Sequence, residues 1–277
     1  MLNSKKISPK LRTQFKKTIW DFYHQHGRDF VWRNVDNPYH VFVSEVMLQQ
    51  TQTYRVEPKF DQFIEAFSSF EILADAQLRE VLGVWQGLGY NRRGKFLHQA
   101  AQKIMHEHDG ILPSDPEQLN RLPGIGPATA ASLAAFAYNR PTVFIETNIR
   151  SVFIHYFFEQ KKTAISDKDL LPLIEQTLDY DNPREWYYAM MDYGVYLKKQ
   201  LPNPSRRSKH HTQQSKFEGS DRQIRGKVIK LLVEKQKLHK KDLIALVQDS
   251  KNRTESIIND LVQEQLLLVE QDLVQIK

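Results

Sequence analysis

The chain has 277 residues, 40% of them hydrophobic, with a formal net charge of +6 at neutral pH. This length can bury a substantial core in more than one compact unit, and the positive balance favours anionic partners. With no cysteine the chain cannot form disulfides, thiolate metal sites, a cysteine nucleophile or an iron–sulfur cluster of its own.

Nearly all of residues 1–200 read as helices, with apolar positions at three- and four-residue spacing and short connections. Leu11 to His24 is a first amphipathic helix, and Trp32 to Pro38 is polar and irregular. Helices are then expected over Tyr39 to Gln52, Arg55 to Phe67 and Ile72 to Val81. WQGLGY, ending at Tyr90, is a break that leads into a basic helix from Arg92 to His106. Pro116 to Arg121 is a short helix, LPGIGPAT from Leu122 to Thr129 is a turn, and Pro127 to Tyr138 is a helix rich in small residues. TVFI carries the chain in extended form to Glu146, where another helix begins, and Leu170 to Leu178 and Pro183 to Lys199 follow.

From Leu201 the composition becomes polar, basic and rich in turn formers, which marks residues 201–220 as a linker or DNA-facing loop. Three helices, Gln223 to Glu234, Lys240 to Val247 and Arg253 to Gln263, precede LLLVE, a turn at Gln271 and Asp272, and LVQIK. That is winged-helix order, in a small α+β domain at 221–277. It suits DNA contact or protein interaction, and the acids Glu255 and Asp260 on the third helix do not resemble a strong major-groove reader.

No uninterrupted apolar run approaches the roughly 20 residues a membrane-spanning helix needs, and the N-terminal segment lacks the apolar core of a signal peptide. A cytoplasmic protein without a membrane partner is expected. His106, His108 and His155 are scattered, so no metal site is expected.

The Gly-x-Gly turn at a helix start exposes backbone amides to which a phosphate oxygen has unobstructed access. Glu146 nearby suggests chemistry on a polyanion rather than adhesion to it. Glu45 lies in VSEVMLQQT among Val43, Val46, Met47 and Leu48, where an acid is a candidate proton donor. A proton donor and a separate anion suit glycosidic bond cleavage, in which an oxocarbenium-like sugar must be stabilised. The same residues also fit an ordinary interhelical turn, a solvated acid and a helix cap; spacing alone does not separate these readings.

The ordered stretches DFVWRNVDNPYHVFVSEVMLQQTQ, WQGLGYNRR, LPGIGPATAAS, IETNIR and MDYG resemble the landmarks of MutY-type adenine DNA glycosylases. These belong to the helix-hairpin-helix glycosylase superfamily, which also contains endonuclease III. The resemblance covers about Phe15 to Gly194. It implies a mainly α, two-lobed helix-hairpin-helix glycosylase domain at 1–200, with its hairpin at 118–138. It further implies a base flipped out of double-stranded DNA that carries a mispair or lesion.

On this resemblance Glu45 is the general acid that protonates N7 of adenine, and Glu146 is the carboxylate that stabilises the cation. Gln50, Tyr90, Asn148 and Arg33 contact substrate or lesion. Gly124, Ile125, Gly126 and Thr129 bind the DNA backbone, joined by Arg206, Arg207 and Lys209 from the basic segment. The implied activity is excision of adenine opposite 8-oxoguanine or guanine in base excision repair; excision of a different mispaired or damaged base, or non-catalytic binding of lesions or branched DNA, is the alternative. A monomer is expected, acting at the nucleoid of a bacterial-type cytoplasm.

Three positions depart from the family. It usually has aspartate where this chain has Glu146. Ala128 stands where bifunctional relatives carry the Schiff-base lysine, so strand cleavage through that amine is not expected. The iron–sulfur cluster that generally follows the MDxG helix has no cysteines here, so no cofactor is expected, and the tail does not resemble the NUDIX-like lesion-sensing domain of many members.

Overall fold

The computed structural model describes residues 6–161, 163–214 and 216–277. The first five residues of the N-terminal segment, and position 215 in the basic linker, lie outside the described residues. In chain order the helices are α1 (Pro9–His26), α2 (Pro38–Leu48), α3 (Thr53–Ala66), α4 (Phe70–Asp75), α5 (Leu78–Trp85) and α6 (Arg92–Glu107). Next come α7 (Pro116–Leu119), α8 (Pro127–Tyr138), α9 (Thr147–Phe158), α10 (Asp167–Thr177), α11 (Pro183–Gln200) and a 3-10 turn at Pro204–Arg207. The chain ends with α12 (Asp221–Lys235), β1 (Lys237–His239), α13 (Lys240–Val247), α14 (Lys251–Gln263), β2 (Leu267–Glu270) and β3 (Leu273–Ile276).

The chain divides into two compact units. The first comprises Met1–Val41, Ser114–Asn120 and Gly126–Gln213. Its α1 starts where Ser8 Oγ accepts from the Leu11 amide and Pro9 takes the first helical position. Phe15 and Ile19, one turn apart, are its buried stripe. Phe15 meets Phe153, Tyr156 and Phe157 of α9 and Trp186 of α11, with ring centroids 5.1–6.2 Å apart. Burying each such ring is worth about 1.5–3 kcal/mol, so this aromatic cluster is the main cohesion between α1, α9 and α11. A capping box between Ser166 and Asp169 starts α10, and Asn139 ends α8 in the left-handed conformation.

The second unit comprises Phe42–Pro113, Arg121–Ile125 and Gln214–Lys277. The winged-helix-like module therefore shares a unit with α3–α6, whereas the sequence suggested a boundary at 220. The reason is a common core: Leu78 and Leu82 of α5 are buried with Ile224, Val228, Ile229 and Leu232 of α12 and with Leu243, Ile258 and Val274. The three strands form an antiparallel sheet in the order β1-β3-β2. Gln271 and Asp272, at φ 47° and 71°, make the tight turn between β2 and β3, whose mirror-type geometry suits strand twist. The short β1, which pairs Leu238 with Val274, has no counterpart in the sequence pattern. Among the described residues no helix is long and apolar enough to cross a membrane.

Candidate functional site

In the first unit, extended residues 141–146 deliver Glu146 to the start of α9. Thr142 Oγ1 donates to Ala131 O of α8 at 2.6 Å, and Tyr187 of α11 donates its hydroxyl to Thr142 O at 2.7 Å. Phe144 packs on Tyr187 with centroids 4.1 Å apart. The alanines of α8 leave room for this close approach. Glu146 then caps α9: Oε1 accepts from the amides of Asn148 (2.7 Å) and Ile149 (2.8 Å), and Oε2 from Asn148 Nδ2 (3.1 Å). The carboxylate satisfies two orphan donors at the positive end of the helix dipole. The glutamate thus reaches the same second and third helical amides that shorter cap residues meet. Asn148 Oδ1 is buried with no hydrogen-bond partner among the described residues, an acceptor held beside that carboxylate.

Behind Asn148 passes α11, at Gly194. A Cβ there would lie 2.5 Å from Asn148 O and 2.7 Å from Asn148 Cβ, so only glycine permits the approach. Asp192, two residues earlier, accepts from the Arg28 amide (2.7 Å), Arg28 Nε (2.8 Å), Arg33 Nη1 (2.9 Å) and Arg33 Nη2 (2.8 Å). Burial pushes its carboxyl pKa up, but these hydrogen bonds and the two guanidinium charges together hold it below the ordinary value. MDYG thus joins an anchor to a point of close backbone contact. Arg33, expected at substrate, is turned inward, donating also to Arg28 O and lying over the Phe30 and Tyr188 rings.

Lys198 lies one turn beyond Gly194 on α11. Burial pushes its ammonium pKa down, the charge of Glu146 opposes this and that of Arg28 adds to it. Its four-residue spacing from Gly194, which places both on one helix face, was the available signal.

The basic segment is mixed in character. Arg206 and Lys209 are exposed, whereas Arg207 turns inward and donates to Phe158 O and Lys161 O, closing the end of α9. Asn203 Oδ1 accepts from Ser205 N and Ser205 Oγ, and Pro204, Ser205 and Ser208 are buried. The cluster that the resemblance implies does not fit these residues. The sequence has no thiol, and the described residues hold no group of three or more acids and histidines suited to a metal.

Glu45 belongs to the second unit. It is half-buried on α2, beside the buried Val43, Val46 and Met47. Three loops of this unit meet at the start of α6, and Arg93 joins two of them. Its Nη1 donates to Val46 O and Met47 O, both at 2.9 Å, and its Nη2 to Thr51 Oγ1 (2.9 Å), Leu88 O (3.3 Å) and Gly89 O (3.2 Å). The guanidinium lies 5.3 Å from the Trp85 ring. Burial lowers its pKa to about 10, so it stays charged at neutral pH.

Gln50 and Tyr90, on the two joined loops, have φ of 55° and 49°, a region that ordinarily selects glycine. Gln49 Nε2 reaches Gly124 O at 3.4 Å and brings in the third loop. Gly124 has φ +76°, and a Cβ on it would sit 2.7 Å from Phe96 Cβ. Gln50 and Gly124 are exposed, Tyr90 is half-buried and Ile125 is buried. Gly126 and Thr129 lie in the first unit, at the cap and in the first turn of α8, where Pro127 supplies the first helical position and Gly126 faces open space.

The basic start of α6 is divided: Arg92 is exposed. Arg93 and Lys95 are buried, and Lys95 donates to Glu264 O. The overlooked signal is that Arg93 continues the buried stripe Leu97, Ala101, Ile104.

Residues 43–176 match the family described as HhH-GPD superfamily base excision DNA repair protein. An adenine DNA glycosylase of Mycolicibacterium smegmatis is 32% identical over 233 residues, which cover 77% of this chain and 78% of that protein. One from Buchnera aphidicola subsp. Baizongia pistaciae is 32% identical over 184 residues, 66% of this chain and 52% of that protein. The chain spans about half the length of the first curated relatives it matches. Among solved structures, a thermostable thymine-DNA glycosylase aligns with a TM-score of 0.59 at 24% identity, over 66% of this chain and 86% of that one. A non-covalent endonuclease III–DNA complex aligns with a TM-score of 0.59 at 16% identity, over 71% and 90%.

Proposed function

Because the chain belongs to the HhH-GPD superfamily of base excision DNA repair proteins, we propose that it is a DNA glycosylase that releases adenine mispaired with 8-oxoguanine or guanine. The observation that carries the reading is the 32% identity to an adenine DNA glycosylase across 78% of that protein's length. The fixed carboxylate supports it: Glu146, pinned by two backbone amides and the Asn148 side chain, is preorganised to meet a developing positive charge without rearranging.

Glu45 protonates N7 of a flipped adenine and makes the base a leaving group. The C1′–N9 bond breaks with its electron pair going to the base, and the sugar becomes an oxocarbenium-like cation that Glu146 stabilises. Water adds at C1′ and loses a proton, leaving an abasic site. Ala128 supplies no amine for strand cleavage, so release stops there. Gln50 and Tyr90 sit in the duplex gap beside the opposite base. Backbone contacts come from the Gly124–Gly126 turn and from Arg206 and Lys209, while Arg207 and Arg33 support the fold behind them. The protein acts as a monomer on duplex DNA.

Single-turnover incubation with duplexes holding adenine opposite 8-oxoguanine or guanine, followed by alkali, tests this. Alkali-labile breaks at the adenine are expected, and Glu45→Gln should reduce them by at least about a hundredfold with DNA affinity retained. Breaks only at some other base, or none, would refute the adenine reading.

A further inference from the structure

Tyr90 is held by one residue near the end of the linker and one from the module beyond it, both in its own unit. Gln214 donates its side-chain amide to the Tyr90 hydroxyl, and Arg222, in the first turn of α12, donates Nη1 to the same oxygen at 3.0 Å. The guanidinium groups of Arg222 and Arg93 each lie 5.6 Å from the Tyr90 ring centroid, within cation–π range. The element that carries Arg222 is itself fixed, because α12 shares a core with Leu78 and Leu82 of α5, and Arg225 pairs with Glu264. Tyr90 occupies a φ of +49°, where a bulky residue is strained and glycine is not.

A phenol has one O–H to donate and lone pairs to accept with. With Gln214 and Arg222 both donating to the oxygen, its accepting capacity is filled and its own proton is left to donate. We propose that the C-terminal module, with the end of the linker that leads into it, is a working part of the opposite-base reader: Arg222 and Gln214 fix the Tyr90 hydroxyl as a donor, so that it selects a base presenting an acceptor such as a purine carbonyl or N7. The inference rests on the placement of Tyr90 beside the opposite base in the function proposed above. Arg222 acts through Tyr90 and is a positioning residue.

The test uses duplexes with a tetrahydrofuran abasic analogue opposite guanine, 2-aminopurine (which lacks the O6 carbonyl) or 7-deazaguanine (which lacks N7). Affinity is read by fluorescence anisotropy, so no turnover is needed. The 277-residue wild type should prefer guanine over one of the analogues by roughly tenfold, the scale of a good base-edge contact. Arg222→Met, which keeps the aliphatic stem, and Tyr90→Phe should each bring that ratio toward one, with partial rescue by Arg222→Lys. The double variant should lose no more than Tyr90→Phe alone, as expected of coupled residues. An unchanged ratio in Arg222→Met, additive losses, or a wild type indifferent to the analogues would overturn the proposal. Adenine release is assayed on the same proteins. Its absence alongside a lost ratio counts against the adenine reading alone, and its presence alongside an unchanged ratio counts against this inference alone.

Discussion

Replacing Gly194 with alanine puts one methyl group against the backbone that carries Asn148. The new Cβ would start 2.5 Å from Asn148 O and 2.8 Å from Asn148 C, where ordinary contact begins at 3.4 Å, so the two helices must part by about 0.9 Å. No flexible side chain can absorb the shift, because the obstacle is main chain. Overpacking of this kind costs about 1–3 kcal/mol, a fall in Tm of roughly 5 °C for a chain of this size. The first turn of α9 moves with Asn148, and it carries the Glu146 carboxylate. A displacement near 1 Å costs on the order of a hundredfold in rate. Circular dichroism melts and single-turnover excision at saturating enzyme measure the two effects separately. Gly226→Ala is the control: it lies in α12 with nothing within 4 Å of its new Cβ and should leave stability equal or raised by up to about 1 kcal/mol. A Gly194→Ala protein that melts and excises within about twofold of wild type would refute the argument that this contact sets the carboxylate.

Asp192→Asn should destabilise the protein by about 3–5 kcal/mol in urea denaturation, because it leaves Arg33 buried without its anion. The Asp192 carboxyl pKa is depressed on folding, so its contribution is complete above the ordinary value of 3.8 and is lost as the pH falls through the lower folded value. The wild type should therefore lose stability on acidification in that window, and Asp192→Asn should show a shallower slope there. Arg93→Met removes five charge-assisted hydrogen bonds from two loops; stability should fall by roughly 3 kcal/mol, and affinity for abasic-analogue DNA should fall with it. Glu146→Asp keeps the charge and changes the reach; if the cap is what positions the carboxylate, the shorter acid should still cap α9 within about 1 kcal/mol and retain excision, measured in the same single-turnover assay.

What the sequence made legible was periodic or punctuated. The helix over Lys240 to Val247, the turn at Gln271 and Asp272 and the cap at Glu146 each depend on neighbours within a few residues, so local chemistry reaches them. The stretch Ile72 to Val81 reads as one helix but is two, α4 and α5, because the Gln77–Glu80 capping box opens a new helix there. Strand β1 is three residues long and exists only through its pairing with β3, which no local pattern encodes. The charged residues were least legible: Arg33, expected at substrate, and Arg207, expected at the DNA backbone, each meet a carboxylate or carbonyl oxygens distant in sequence. A guanidinium suits both a phosphate and a helix end, so residue type alone does not separate the two. The departure at Glu146 was visible, but the third bond of its carboxylate, from the Asn148 side chain, was not, since it depends on the direction from which residues 141–146 enter α9.

The cap that Glu146 forms also changes how natural variation at this position reads. Groups arranged for reaction commonly detract from stability, and substituting them tends to stabilise a fold at the expense of turnover. On the function proposed above, the oxygens placed for the cation are the ones that begin α9, so the usual trade is absent and both properties favour an acceptor at this position. On that reading a descendant that had abandoned excision would still be held to a capping side chain here by its need to fold, and its lost chemistry would be recorded at Glu45 first.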